Sequence, residues 1–312
     1  MPSSRFAKYT WGVLVYNLGV ILWGAYVRAT GSGAGCGQHW PTCHGEVIPL
    51  DPSIKTLIEY SHRLTSGLAL VSVLVMLFWA YKAFPKGHPV RKGTWMSVIF
   101  MCTEGGLGAG LVLLELVATD TSMLRVLSMG LHLTNTFLLL ASLSLVAWWS
   151  AGGGDFKLTG HGLYGRKIYL GLAVVLLIGV TGAITALGDT LFPPEQIGAG
   201  LVADGEGGVY FLKRLRVLHP AIAASFGLYF VYLGIFFRRD KFDRSTQKTA
   251  GVLVVIYLLQ LCMGLTNIAL KVPIWTQMLH LLFADIVWIS LVILGANLFS
   301  KKQTESGPSI SS

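Results

Sequence analysis

The chain has 312 residues, of which 53% are hydrophobic and only 12% are charged, against roughly 25% charged residues in an average soluble domain. This composition excludes an ordinary soluble globular protein. The net charge of +9 would suit a nucleic-acid-binding protein, but the Lys and Arg residues lie mainly in alternate loops between long apolar segments. Each segment is close to the roughly 20 residues that cross a bilayer as a helix, so we predict an all-α polytopic membrane protein.

Eight apolar segments predict eight transmembrane helices. They cover approximately residues 9–29, 56–81, 94–118, 123–149, 167–188, 213–237, 249–271 and 275–299. With both termini in the cytoplasm, 16 of the 24 Lys and Arg residues lie on the inner side, as the positive-inside rule requires. The long loops at about 30–55 and 189–212 then lie on the outer side, and no nucleic-acid partner is needed to explain the charge.

A Gly-rich polar segment at residues 151–166 predicts a cytoplasmic linker that divides the chain into two halves. We expect an N-terminal four-helix bundle at 1–150 and a C-terminal four-helix bundle at 167–302, followed by a disordered polar tail at 303–312. Similar local sequences in the two halves favour a tandem duplication, which predicts two pseudo-repeated bundles.

Each even-numbered predicted helix contains one histidine: His62, His132, His219 and His280. Each histidine lies five to nine residues after the predicted start of a helix that begins on the outer side, so all four share a depth of roughly 8 to 14 Å. One histidine inside a bilayer is most often explained by packing or hydrogen bonding. Four at one depth favour metal ligation, because ionisable groups are costly in the membrane and neutral imidazole binds iron or copper.

The spacing of these histidines predicts one pair in each bundle. His62 and His132 are 70 residues apart, and His219 and His280 are 61 residues apart. The surrounding sequences repeat, since MGLHLTNT resembles QMLHLLFAD and EYSHRLTSG matches the position of RVLHPAIAA. Each bundle can hold one haem between two axial histidines. Copper is less favoured, because no Met or Cys stands near them at ligand spacing.

A carboxylate distinguishes the two halves. Glu59 lies three residues before His62 and shares its helix face, one turn closer to the outer surface. A carboxylate there can act as a base or stabilise a cation that develops on the macrocycle. The alternative is an ion pair with Arg63 or Lys55 at the membrane interface, and spacing does not choose between these interpretations.

The second half has a positively charged residue at the matching position. Arg216 lies three residues before His219, next to Lys213 and Arg214, and this cluster favours contacts with haem propionates. Two further acids, Glu104 and Asp285, lie inside predicted helices. They can relay protons, but polar pairing between helices is the commoner use of such groups.

The first outer loop contains Cys36 and Cys43, separated by six residues that include a proline. Because this loop lies on the oxidising side, we expect a disulfide. The disulfide either braces a loop over the N-terminal pocket or takes part in thiol–disulfide exchange coupled to electron flow. The spacing leaves both roles open.

These motifs resemble the haem A synthase family, membrane enzymes that convert haem O to haem A for terminal oxidases. The matching stretches are VRATGSG at 27–33, WPTCHG in the cysteine loop, EYSHR at 59–63, HLTNTFLLL at 132–140, TGAITALGDTLFP at 181–193, RVLHP at 216–220 and LHLLFAD at 279–285. They run in order through nearly the whole membrane part. The loop departs from the family pattern at GQH, before Trp40, which affects the expected loop conformation and partner docking.

The resemblance implies a role for each motif. His62 and His132 would hold the substrate haem, whereas His219 and His280 would hold a haem b that serves electron transfer. Glu59 would be the catalytic acid. Cys36 and Cys43 would form a disulfide near the substrate pocket.

The implied reaction is oxidation of the C8 methyl group of haem O to a formyl group by two successive hydroxylations, which gives haem A. The implied partners are membrane lipid, haem O synthase, an electron acceptor, oxidase assembly factors and a possible second copy of the chain. The N-terminus lacks an Arg- and Ser-rich transit segment, so we expect a bacterial plasma membrane.

A rival interpretation uses the same four histidines. A two-haem b-type electron-transfer cytochrome would hold two unaltered haems and would leave Glu59 without a chemical role. A transporter is a third possibility, but it predicts broken helices and polar binding groups at the midplane, and those signals are weak in this sequence.

Overall fold

The computed structural model describes residues 4–155, 157–192 and 208–300. Within these ranges it contains eight helices and no β-strand, so the predicted all-α fold is confirmed. The helices are α1 (Ser4–Ala29), α2 (Ile54–Ala83), α3 (Pro89–Leu113), α4 (Met123–Ser150), α5 (Gly162–Leu191), α6 (Gly208–Phe237), α7 (Arg244–Ala269) and α8 (Ile274–Phe299). All eight are long and apolar enough to cross a membrane. The predicted tail at 303–312 and most of the loop at 189–212 lie outside the described residues.

The third helix differs from its predicted span of 94–118, because α3 begins and ends five residues earlier. Its start is set by Pro89 in the first turn and by the side chain of His88, which accepts a hydrogen bond from the N–H of Val90. Beyond its end, Glu115 and Ala118 have positive φ angles of 56° and 51°, which no α-helix accommodates.

The predicted linker at 151–166 is shorter in the structure, because α5 already begins at Gly162. At the other end of the linker, α4 ends at Ser150, within one residue of the predicted span. The connection between the two halves therefore consists of the residues between Ser150 and Gly162.

Helices α1 to α4 form one four-helix ring, and α5 to α8 form a second one. In each ring every helix packs against the next, and the fourth returns to the first. Helix α2 therefore lies diagonally opposite α4, and α6 lies diagonally opposite α8. This arrangement fits the expected pseudo-repeat, and it places the even-numbered helices of each half across a shared interior.

The two halves contact each other through α1 and α4 on one side and α5 and α8 on the other. At the centre, the rings of Phe137 and Trp288 stack with centroids 4.9 Å apart. The indole N–H of Trp288 also donates a 2.6 Å hydrogen bond to the carbonyl of Phe137. These contacts join the helices that carry His132 and His280, so the two bundles form one unit.

Candidate functional site

The structure brings the four membrane histidines together as two pairs. His62 of α2 and His132 of α4 are close enough to interact electrostatically, and so are His219 of α6 and His280 of α8. All four imidazoles are half-buried inside their bundles. The two histidines of each pair come from diagonally opposite helices of the same bundle.

Each of these histidines faces a glycine of the preceding helix. A Cβ atom added at Gly24, Gly182 or Gly264 would lie 3.0 Å from the imidazole of His62, His219 or His280, respectively. A Cβ added at Gly108 would lie 3.9 Å from Nε2 of His132. The absence of a side chain at these positions leaves each imidazole room against the neighbouring backbone.

His132 is held by a carboxylate. Its Nδ1–H lies 2.9 Å from Oε1 of Glu104, a residue of α3. The same carboxylate accepts hydrogen bonds of 2.5 Å from the side chains of Asn135 and Thr136, both on α4. The intramembrane acid Glu104 is thus fully paired, and the Nε2 lone pair of His132 is left available for a metal.

The histidines of the second half are held by neutral groups. The hydroxyl of Thr181 donates to backbone carbonyls of its own helix, and its oxygen accepts a 3.1 Å hydrogen bond from Nδ1–H of His219. The side-chain amide of Gln260 donates to Nε2 of His280 at 3.2 Å. Asp285, the other intramembrane acid, is fully buried and has no hydrogen-bond partner among the described residues.

The residues of both pairs fit an iron porphyrin with two axial imidazoles. The Nδ1 atoms of His62 and His280 are buried and have no partner within the described residues. The facing glycines leave space that a Cβ would fill. Imidazole is a common axial ligand of haem iron, and bundle interiors accept such cofactors from facing helices.

Glu59 lies beneath the loop between α1 and α2 with 4% of its surface exposed. Its Oε2 accepts a 2.8 Å hydrogen bond from the backbone N–H of Cys36, and its Oε1 pairs with Arg63 at 2.5 Å. Glu59 lies three residues before His62 on α2, and each of its carboxylate oxygens has a partner. The Arg63 ion pair of the alternative interpretation is therefore present, and both of its side chains are largely buried under the loop.

The loop itself is closed by the expected disulfide between Cys36 and Cys43, with an S–S distance of 2.05 Å. One face of α2 holds it. Thr56 donates to the carbonyl of Gly35 at 2.7 Å, and Arg63 donates to the carbonyls of His39 and Thr42, each at 2.6 Å. The loop thus caps the end of the N-terminal bundle at which α2 begins, near His62.

In the second half, Arg216 occupies the position of Glu59 and is also largely buried. Its Nε pairs with Asp189 at 2.6 Å, and its Nη1 donates to the carbonyl of Phe192 at 2.8 Å. Its Nη2 has no partner among the described residues. This free donor fits an anionic group such as a propionate. The side chain of Lys213, predicted to belong to this cluster, lies outside the described residues.

Sequence reasoning missed Arg28, which bridges the two halves. From the end of α1, its Nη1 donates to the carbonyl of Ala186 at 2.5 Å and to the hydroxyl of Thr190 at 2.7 Å. Its Nη2 donates to the side chain of Gln277 on α8 at 3.3 Å. A lone arginine near the end of an apolar segment was the only available signal.

Comparison with known proteins places these features in a family. The profile of the COX15-CtaA family, described as cytochrome oxidase assembly protein, matches residues 7–292. A protein of Halalkalibacterium halodurans named "Heme A synthase" is 30% identical over 288 residues, which cover 87% of this chain and 90% of that protein. A protein of Alkalihalophilus pseudofirmus with the same name is 46% identical over 101 residues, or 32% of this chain and 33% of the relative.

A relative with a higher sequence identity over nearly the whole chain has a different name. A Thermus thermophilus protein named "Protoheme IX farnesyltransferase" is 50% identical over 306 residues. The match covers 97% of this chain but only 50% of that protein, so the chain spans about half the length of this relative.

Proposed function

This chain belongs to the COX15-CtaA family of cytochrome oxidase assembly proteins, and we propose that it is a haem A synthase, which oxidises the C8 methyl group of haem O to a formyl group. One observation carries the proposal. Two similar histidine pairs lie in two similar bundles, but the residue three positions before the first histidine is a buried carboxylate, Glu59, in the N-terminal half and a cation, Arg216, paired with Asp189, in the C-terminal half. Two equivalent electron-transfer sites would not need this difference.

The name of the Thermus thermophilus relative does not argue for farnesyl transfer by this chain. The two proteins share a segment that amounts to half of the relative, so the name of the whole relative does not describe this segment alone. The Halalkalibacterium halodurans relative, in contrast, matches along nearly its whole length. The haem A synthase assignment therefore has the better support.

In this proposal the N-terminal half binds haem O through His62 and His132, and the C-terminal half binds a haem b through His219 and His280. The haem b supplies one-electron transfer when bound. Arg216, with its free Nη2, would hold a propionate of that haem. The disulfide loop covers the end of the N-terminal bundle near His62 and holds Glu59 in place.

The reaction converts the methyl group to a hydroxymethyl group and then to an aldehyde hydrate, which loses water to leave the formyl group. With water as the oxygen donor, the overall change is one water consumed and four protons and four electrons released. Removal of electrons from a methyl group on a conjugated ring creates positive charge beside the ring. The carboxylate of Glu59 stabilises that charge and accepts a proton from the attacking water.

The proposed setting is a bacterial plasma membrane with both termini in the cytoplasm, so that the disulfide loop and the four histidines lie toward the outer side. The reaction needs an electron acceptor, a source of haem O and an oxidase assembly route for haem A. A haem O synthase is the expected supplier. In the Thermus thermophilus relative named "Protoheme IX farnesyltransferase", a segment similar to this chain makes up half of the protein. This arrangement supports a haem O synthase as the partner.

The proposal is tested with the purified protein in lipid vesicles, supplied with haem O and with ferricyanide as electron acceptor. Mass analysis should show products that carry one added oxygen and then, after loss of two hydrogens, the formyl group. The rival two-haem cytochrome predicts reduction and reoxidation of the bound haems without any change in the mass of haem O.

A further inference from the structure

The two halves carry different side chains at one matched position beside a histidine. Glu104 lies four residues before Gly108 on α3, and Gln260 lies four residues before Gly264 on α7. Each glycine faces the histidine of the next helix; Glu104 contacts that histidine, His132, at Nδ1, whereas Gln260 contacts its histidine, His280, at Nε2. The N-terminal half thus presents an acid to its histidine where the C-terminal half presents an amide.

The side chains around Glu104 donate hydrogen bonds that stabilise a negatively charged carboxylate. Besides His132, the carboxylate is bound by Asn135 and Thr136, which follow that histidine by three and four residues. The residues that follow His280 by three and four positions are Phe283 and Ala284, which offer no side-chain donor. Helix α4 therefore compensates a buried carboxylate, whereas the matching positions of α8 do not.

For the other histidine of each pair, His62 or His219, the side-chain partner at Nδ1 is in the C-terminal half. His219 donates from Nδ1 to Thr181, the residue before Gly182. The residue before Gly24 is Trp23, whose indole N–H donates to Ser61 instead, and Nδ1 of His62 has no partner among the described residues. The N-terminal pair thus combines one imidazole oriented by a carboxylate with one whose Nδ1 has no partner among the described residues.

We propose that Glu104 is a positioning residue of the N-terminal site, which fixes His132 as the permanent and stronger iron ligand and leaves His62 as the exchangeable one. A carboxylate that accepts Nδ1–H sets the tautomer and orientation of the ring and increases the electron donation of Nε2 to a metal. The amide of Gln260 is neutral and cannot do this for His280. The inference rests on the proposed function only in that the N-terminal half binds a haem.

The consequence is measurable as a reduction potential. A more strongly donating axial imidazole stabilises the ferric state, so the carboxylate should lower the reduction potential of the N-terminal haem. Loss of the negative charge in Glu104→Gln should shift that potential to a more positive value.

The test is an optical redox titration of the full-length protein loaded with b-type haem in cells that make no haem O. A separate His280→Ala variant, which lacks one of the two C-terminal ligands, shows which signal of the two-haem protein belongs to the N-terminal haem. Glu104→Gln should shift only the reduction potential of the N-terminal haem. Glu104→Asp keeps the negative charge, so its potential should stay close to the wild-type value. Because no haem O is present, the result does not depend on whether the protein converts it.

Two results would overturn the proposal. The first is a Glu104→Gln protein whose N-terminal haem is bound with unchanged potential and spectrum. The second is loss of the N-terminal haem in both Glu104→Gln and Glu104→Asp while the C-terminal haem is retained, since this would mean that Glu104 only supports the packing of α3 on α4. Haem loss in Glu104→Gln alone, with binding kept in Glu104→Asp, would support a carboxylate that orients His132.

Discussion

The backbone N–H of Cys36 donates a 2.8 Å hydrogen bond to Oε2 of Glu59, so the loop disulfide and the buried carboxylate of the N-terminal half are one structural unit. Arg63 completes the unit. It pairs with the other oxygen of Glu59 and donates to the carbonyls of His39 and Thr42 in the same loop. The position of the carboxylate over its histidine is therefore set by the loop as well as by α2.

Loss of the disulfide should impair conversion of haem O more than haem binding. In the double variant Cys36→Ser and Cys43→Ser, the loop loses a constraint worth about 2.5 kcal/mol for a closed loop of this size, and the N–H of Cys36 no longer stays on Glu59. We expect several-fold less haem A in cells that supply haem O, with the C-terminal haem retained. The two haem contents are measured by chromatography of the extracted pigments.

The matched control is the double variant Cys102→Ser and Cys262→Ser, which changes the two cysteines that lie exposed on α3 and α7. This variant should make as much haem A as the wild type. Equal loss in both double variants would mean that the loop disulfide has no specific link to the reaction.

The two interpretations of Glu59 are separated by comparison with its ion-pair partner. If the carboxylate acts in the reaction, Glu59→Gln should lower the rate of haem O oxidation by about 10²- to 10⁴-fold, the usual contribution of a general base, with both haems still bound. Arg63→Gln removes the ion pair and two loop contacts but leaves the carboxylate, so we expect a smaller decrease. A similar decrease in both variants would instead favour a purely structural ion pair.

Single replacement of the axial histidines should deplete one half at a time. His62→Ala or His132→Ala should lower the haem bound by the N-terminal half and stop haem A formation. His219→Ala or His280→Ala should remove the haem b and leave the N-terminal half able to bind haem O. Haem content per protein and the visible spectrum measure this, and loss of both haems in every variant would contradict two separate sites.

The glycines that face the imidazoles give a test of site geometry. In Gly24→Val the new Cβ would lie 3.0 Å from His62, so the imidazole must move, and overpacking of this kind costs about 1 to 3 kcal/mol. We expect roughly a tenfold or larger loss in affinity of the N-terminal half for haem. Gly19→Val lies five residues earlier on the same helix and has no atom within 4 Å of the new Cβ, so it should bind haem normally.

The sequence predicts the membrane fold well because each helix needs one long apolar segment, which local composition reveals. It misplaces α3 by five residues, since the apolar run continues past Leu113 into a stretch where Glu115 and Ala118 turn the chain. Apolar residues beyond a helix end look the same as those within it. The start at Pro89 was hidden by the charged residues of its first turns.

The histidines were found because imidazoles at one depth are conspicuous in an apolar sequence. Their partners were not, because the contacts of Glu104 with His132 and of Thr181 with His219 join different helices, and their register is set by packing. The link between Glu59 and the N–H of Cys36 was equally hidden, since a backbone donor in a loop leaves no mark in the sequence.

The most direct test of the account is mass analysis of the haems extracted from the purified wild-type protein after expression in cells that make haem O but no haem A of their own. The account predicts haem A, or its hydroxylated precursor, together with haem b. Recovery of haem b alone, with haem O present in the membranes and unaltered, would contradict it and would leave the four histidines to an electron-transfer cytochrome.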